Sequence, residues 1–186
     1  MRFSPAECAV ETFSGKGPGG TIIYGDFREQ ADALVRRFAG TVQTVYLDPP
    51  FNTGKDFVLK QRVGESGWKT GKPVLTLPAY SDVWEDEREL YAMLREAAEL
   101  ARTLLRDDGS LFLHIDSRLH ARARLMLDEV FGEKAFVNEI TWAYKSGGRS
   151  QAHFSRKHDI ILFYRKTPQA YFNIAAVGVP RTNARN

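Results

Sequence analysis

The sequence predicts an α/β protein built on a doubly wound, mostly parallel sheet with an antiparallel hairpin at one edge. Three observations carry this. Short runs of β-branched and aromatic residues alternate with amphipathic stretches of roughly a dozen residues, the pattern of strand–helix–strand crossovers. The last two strand-like runs have no helix between them, so they should pair as an antiparallel hairpin. Asp26, Asp48 and Asp116 each stand at the carboxyl end of a predicted strand, the rim where such sheets bind ligands.

The elements follow in order. Residues 1–20, rich in Gly, Ser and Pro, read as an irregular arm. Residues 21–25 form a first strand, and Asp26 with Glu29 three positions on makes a capping box. Phe27, Ala31, Leu34, Val35 and Phe38 then fall at helical spacing, and Gly40 supplies the stop. A second strand, 42–47, runs into Asp48-Pro49-Pro50-Phe51. Residues 52–85 hold no sustained period, and a connection that long inside a domain is usually functional or mobile. Leu90, Leu94, Ala97, Ala98, Ala101, Leu104 and Leu105 mark a long amphipathic helix closed by Gly109. A strand at 111–115 leads to Asp116 or Ser117, the expected cap of a helix through Leu119, Ala123, Met126, Leu127 and Val130 that stops at Gly132. Strands at 137–144 and 158–165 close the pattern. The expected division is an arm (1–20), a catalytic part (21–167) and a tail (168–186).

Composition bounds the function. Of 186 residues, 43% are hydrophobic, enough for a packed core, so wholesale disorder is excluded. No apolar run approaches the roughly 18 residues of a membrane span, and the start lacks the apolar stretch of a secretory signal. Cys8 alone can build neither an internal disulfide nor a cysteine-based zinc site. No His/Asp/Glu group has metal-ligand spacing. A reducing, cytoplasmic setting without membrane or metal is therefore expected. Net charge is +3, but its distribution is uneven. Residues 141–186 carry eight Lys/Arg against Asp159, a net +7, leaving −4 on the first 140 residues. A basic end on a mildly acidic body suits a polyanion. Lys145, Arg149, Arg156 and Lys157 around the final hairpin are the candidates to meet phosphate.

Asp48-Pro49-Pro50-Phe51 is the sharpest chemical signal. Two prolines continue neither a central strand nor a helix, so they stiffen the backbone just past the strand. The product is a rigid platform with one carboxylate, prolyl carbonyls and one aromatic face. Carboxylate and carbonyl can accept the two N–H bonds of an exocyclic amine while Phe51 stacks on the ring. A pattern of Asp/Asn/Ser, Pro, Pro and an aromatic arises by chance in roughly half a percent of chains this long, taking Pro at about 5%, so the motif is specific. A Pro-Pro turn with a helix-capping Asp is the plain alternative. Among other residues, Asp26 and Asp116 could face a ligand or cap helices equally well. His114, inside a strand, reads as packed rather than catalytic; Trp84 and Trp142 read as core or rim aromatics.

Residues 45–54, carrying that motif, resemble the catalytic segment of amino-group DNA methyltransferases, which act on adenine N6 or cytosine N4. The similarity continues through 80–84, 104–116, 127–132, 138–142 and 157–164, covering roughly residues 21–167. The resemblance implies a Rossmann-like methyltransferase sheet of the permuted class, catalytic half first. It also implies S-adenosylmethionine as cofactor, double-stranded DNA as partner, and Asp48, Pro49, Pro50 and Phe51 as the catalytic platform. Asp26, Asp48 and Asp116 are the candidates to line the cofactor. Aspartate first and Phe fourth in the motif is more usual of adenine enzymes. The family's Phe-x-Gly-x-Gly cofactor turn, expected after the hairpin, is not found there, so the sheet is expected to be incomplete. Residues 13–17 match its letters without the preceding strand or following helix. The resemblance thus leaves room for a restriction subunit or second polypeptide as partner. It also leaves two alternatives: an inactive DNA-binding fragment, or an amino-group methyltransferase for RNA or protein.

Overall fold

A computed structural model describes residues 9–13, 19–51, 55–62, 74–82, 86–145, 151–154 and 156–178. Its centre is a four-stranded mixed sheet made of β3 (Val42–Leu47), β6 (Leu105–Asp116), β8 (His158–Arg165) and β7 (Phe136–Ala143) in that order. β3 and β6 run parallel, and β8 is antiparallel to both neighbours. The last two strands thus form the expected hairpin, with β7 at the edge and β8 inserted against β6. The remaining strands lie in two separate hairpins, β1 (Ala9–Phe13) with β2 (Gly20–Tyr24) and β4 (Lys55–Arg62) with β5 (Val74–Asp82).

Strand alternation decides which face of the central sheet is packed. Leu111, Leu113 and Ile115 of β6 and Ile160, Leu162 and Tyr164 of β8 point to one side. There they meet Leu90, Leu94, Ala98 and Ala101 of α2 (Glu87–Leu104) and Ala123, Met126, Leu127 and Val130 of α3 (His120–Phe131) in a single core. The helix α1 (Phe27–Phe38) lies beside α2. The opposite face carries Tyr46, Phe112, His114, Ile161, Ile140 and Trp142 by the same alternation. Tyr46 and Trp142 there are more than half exposed. Phe163 stacks on Phe112 at 4.6 Å, and Phe172, just before the short α4 (Ile174–Val177), covers part of this side by stacking on Phe163.

Several sequence expectations are refined. The arm expected up to Gly20 contains β1, which pairs with the strand expected at 21–25. That strand therefore belongs to a separate hairpin, and the rim shared by three aspartates reduces to Asp48 and Asp116. The stretch without period holds β4 and β5. Their pairing shifts register between Phe57 and Val58, opposite Pro78, because proline gives no ladder N–H and is tolerated where the pairing breaks. The helix expected to close at Gly109 ends at Leu104 instead. Residues 106–109 bulge out of β6, since Val42 pairs with Leu105 but Thr44 with Ser110. Gly109 is needed in that bulge: a Cβ would lie 2.9 Å from the Arg106 carbonyl and 3.0 Å from that of Gln43. The cap of α3 is also not Asp116 or Ser117. Leu119 occupies it without a side-chain bond, and Asp116 accepts the Arg118 amide at 2.7 Å in a turn before the helix. The expected stop at Gly40 is observed, with φ of +65° and its amide donating to the Thr103 carbonyl.

Candidate active site

The carboxyl ends of β3 and β6 and the amino end of β8 share one rim. Leu47 pairs with Leu113, so the next residue on β3, Asp48, comes level with His114. His114 Nδ1 stands 3.4 Å from Asp48 Oδ1, and Nε2 stands 3.5 Å from Asp159 Oδ2 on β8. The ring is mostly buried, and it meets Phe51 edge-on at 5.3 Å and Tyr46 at 6.2 Å. Asp48 itself is 60% exposed, so one carboxylate projects from the rim into open space.

Asp116 pairs with Asp159 across β6 and β8, and Trp142 of β7 is level with Asp159. Arg118 closes the near side: its Nε donates to Asp116 Oδ1 at 2.8 Å and a terminal nitrogen donates to the Phe51 carbonyl at 3.3 Å. That second bond ties the residue after Pro50 to the start of α3. Tyr144, just past β7, is held above its ordinary pKa by desolvation first, then by the charges of Asp159 and Asp116 and a hydrogen bond to Asp159. Tyr46 is likewise raised, by desolvation and then by Asp48. Both phenols therefore remain neutral donors at physiological pH. Beside Phe51 a cleft of about 290 Å³ opens between the starts of α2 and α3, lined by Glu87, Tyr91, Arg118 and Arg122 among others. Arg122 pairs with Glu87 there.

The structure brings together Asp48, Pro49, Pro50, Phe51 and Asp116 of the residues singled out from sequence. It separates Asp26, which stands after the outlying hairpin, accepts the Arg28 amide at 2.9 Å as the cap of α1, and pairs with the Arg28 guanidinium. Lys145 and Arg156 are exposed where β7 ends and β8 begins, at the same rim, and the Tyr144 amide donates to the Lys157 carbonyl to close that junction. Arg149 lies outside the described residues, as does Trp84. Sequence reasoning passed over Arg118, Tyr144 and Asp159 and read His114 as packing. The period of two in β6, which puts Phe112, His114 and Asp116 on the face away from the helices, is the signal that finds His114. Among the described residues no His/Cys/Asp/Glu group could hold a metal ion, and no helix is long and apolar enough to cross a membrane.

This rim lies inside a region with recognisable relatives. The family model described as DNA methylase matches residues 42–186. Over 80% of this chain, the similar proteins include the Mod subunit of the type III restriction-modification enzyme StyLTI from Salmonella typhimurium, 30% identical. The EcoP15I Mod subunit of Escherichia coli is 26% identical over the same share. The type II methyltransferase M.EcaI of Enterobacter cloacae is 32% identical over 69% of the chain. The chain spans only 24% of the length of each of those two Mod subunits and 25% of M.EcaI. Among solved structures, a Thermus thermophilus protein described as a DNA modification methylase superposes with a TM-score of 0.50 at 16% identity. That match covers 81% of this chain and 57% of the other, and it shows a shared partial Rossmann-like sheet. With a family model covering the rim and both flanking helices, this chain belongs to the amino-group DNA methyltransferases, the family of N6-adenine and N4-cytosine enzymes.

Proposed function

We propose that this chain is the catalytic part of a site-specific DNA methyltransferase that methylates the exocyclic amine of a flipped base, adenine N6 in preference to cytosine N4. The observation that carries the reading is Asp48 projecting from the end of β3, followed by Pro49, Pro50 and Phe51 on a rim that also gathers His114, Asp116 and Asp159. Adenine is favoured by the Asp-Pro-Pro-Phe form of the motif. The catalytic part falls within residues 21–167, with double-stranded DNA as its substrate, and the names of relatives that are Mod subunits of restriction-modification enzymes support DNA as substrate and a restriction subunit as partner.

The donor set fits S-adenosylmethionine. A sulfonium is cationic, and the rim offers the exposed Asp48 carboxylate beside the rings of Tyr46 and Phe51, groups that attract a cation. Asp48 and Asp116 would line it; Asp26, which follows a hairpin outside the central sheet, is the weaker candidate. When bound, the cofactor supplies an electrophilic methyl group. The chain's own residues do the rest. Phe51 stacks the flipped base, worth about 1–3 kcal/mol by the usual scale of base–aromatic contacts. The Asp48 carboxylate and the Pro49 carbonyl accept the amine's two N–H bonds, which directs the nitrogen lone pair outward from the platform. The prolines keep that geometry fixed, so the gain comes from orientation rather than from a covalent enzyme intermediate.

Methyl transfer to double-stranded DNA, followed by mass spectrometry of the nucleosides, tests this. Wild-type chain should yield N6-methyladenine, and Asp48→Ala should lower the rate by about 10²-fold or more, the scale of removing a group that orients the reacting atoms. Equal transfer to RNA, or a rate unchanged in Asp48→Ala, would overturn the reading.

A further inference from the structure

His114 is not accounted for by packing. It sits on the face of β6 away from the helices, where its cross-strand neighbour is Ile161. A buried imidazole costs free energy unless its nitrogens are satisfied, and His114 Nε2 is buried without a hydrogen bond. Both nitrogens nonetheless face carboxylates, Asp48 at 3.4 Å and Asp159 at 3.5 Å. Asp159 also acts on the Tyr144 phenol, which desolvation first and then this carboxylate hold above its ordinary pKa. Tyr144, Asp159, His114 and Asp48 therefore form one row that crosses the sheet from the end of β7 through β8 and β6 to β3. A side chain placed only to fill space has no reason to end such a row on the carboxylate of the platform.

We propose that His114 is a positioning residue for Asp48. Nδ1–H holds Asp48 Oδ1, and Nε2, carrying the ring's second proton, faces Asp159 Oδ2 on the opposite side. The edge contacts to Phe51 and Tyr46 fix the plane of the imidazole. Asp48 is too exposed to be oriented by packing, and a carboxylate held through one oxygen keeps the other free for the target amine. Separations near 3.4 Å are long for hydrogen bonds, as catalytic contacts often are before substrate is bound. The inference rests on the proposed role of Asp48 but concerns a different residue and a contact that is measurable without turnover.

The test begins with nitrogen NMR of the histidine ring in the purified chain. Asp48→Asn, a change at an exposed position, should move the Nδ1 resonance of His114, and Asp159→Asn should move Nε2. Kinetics then separate positioning from packing. His114→Phe keeps the ring contacts and loses the donor, so kcat should fall about 10²-fold with KM for DNA little changed. His114→Asn, which can present an N–H near the place of Nδ1, should recover much of the loss. An Nδ1 resonance indifferent to Asp48→Asn, or a folded His114→Phe protein turning over at the wild-type rate, would overturn the proposal. A wild-type chain that transfers no methyl group would strike the proposed function, and the ring resonances would still decide whether His114 holds Asp48.

Discussion

Asp26 shows how one residue's chemistry is settled by its neighbours. A carboxylate at a strand end can serve a ligand or a helix, and here it serves α1, accepting the Arg28 amide and pairing with the Arg28 side chain. The hydrogen bonds from the Arg28 side chain, then its amide, hold the Asp26 carboxyl below its ordinary pKa of 3.8. A lowered folded-state pKa means the ionised form is favoured by folding. Its contribution is therefore present above the unfolded value and lost as pH falls through the lower, folded one. Asp26→Ala should cost about 1 kcal/mol, the usual worth of an N-cap. In denaturant titrations the gap to wild type should be constant at neutral pH and should close below about pH 4. The capping aspartate was legible in the sequence, though it caps through the Arg28 amide and not through a reciprocal box with Glu29. That the same aspartate stands off the main rim was not, because the partner strand β1 lies in a stretch whose Gly and Pro content conceals it.

At the scale of elements, the joint between α3 and β8 depends on a buried phenol. Tyr164 is fully buried, and its hydroxyl donates to Asp128 Oδ1 at 2.6 Å, while Arg124 pairs with the same carboxylate. Arg124 also lies over the Phe136 ring at 3.5 Å, so one cation–carboxylate–phenol group ties α3 to β8 and β7. Tyr164→Phe should lower the unfolding free energy by about 1.5–3 kcal/mol, the range for a hydrogen bond to a charged group. Burial first, then the Asp128 bond, pushes the Tyr164 hydroxyl far above its ordinary value of 10. The native state thus keeps its proton where the unfolded chain releases it, and wild-type stability should fall as pH rises above about 10 through this residue. The phenylalanine variant should lack that component of the fall. Periodicity gave both elements from sequence, with β8 placed at His158–Arg165 as observed. It could not give the bulge at 106–109, because a helical spacing that runs through Leu104 and Leu105 does not reveal where the backbone changes from helix to strand.

For the whole molecule the distribution of charge matters more than its sum. Of the basic residues in the last 46 positions, Lys145, Arg156 and Lys157 stand where β7 ends and β8 begins, on the rim that carries Asp48, while the first 140 residues are net acidic. DNA held there should follow counterion release, with the logarithm of affinity falling linearly in the logarithm of salt by about 0.9 per phosphate contacted. Replacing Lys145 or Arg156 by Ala should reduce that slope by up to about 1 each and weaken all sequences alike. Titrations of duplex DNA at several salt concentrations measure it. A slope unchanged in both variants would place the phosphate contacts elsewhere.

The sequence by itself determined the strands and helices of the central sheet, its antiparallel edge and the proline-stiffened turn at Asp48. These follow from local periodicity, from the rigidity of two prolines and from a motif read within a few residues. Only the tertiary structure decided which strands share a sheet, which aspartates share a rim, and that His114 stands between Asp48 and Asp159. Asp48, His114 and Asp159 are far apart along the chain, and no local pattern encodes their meeting. It is set by the register of β3 on β6 and of β6 on β8, where a slip of one residue would turn each of these side chains to the opposite face.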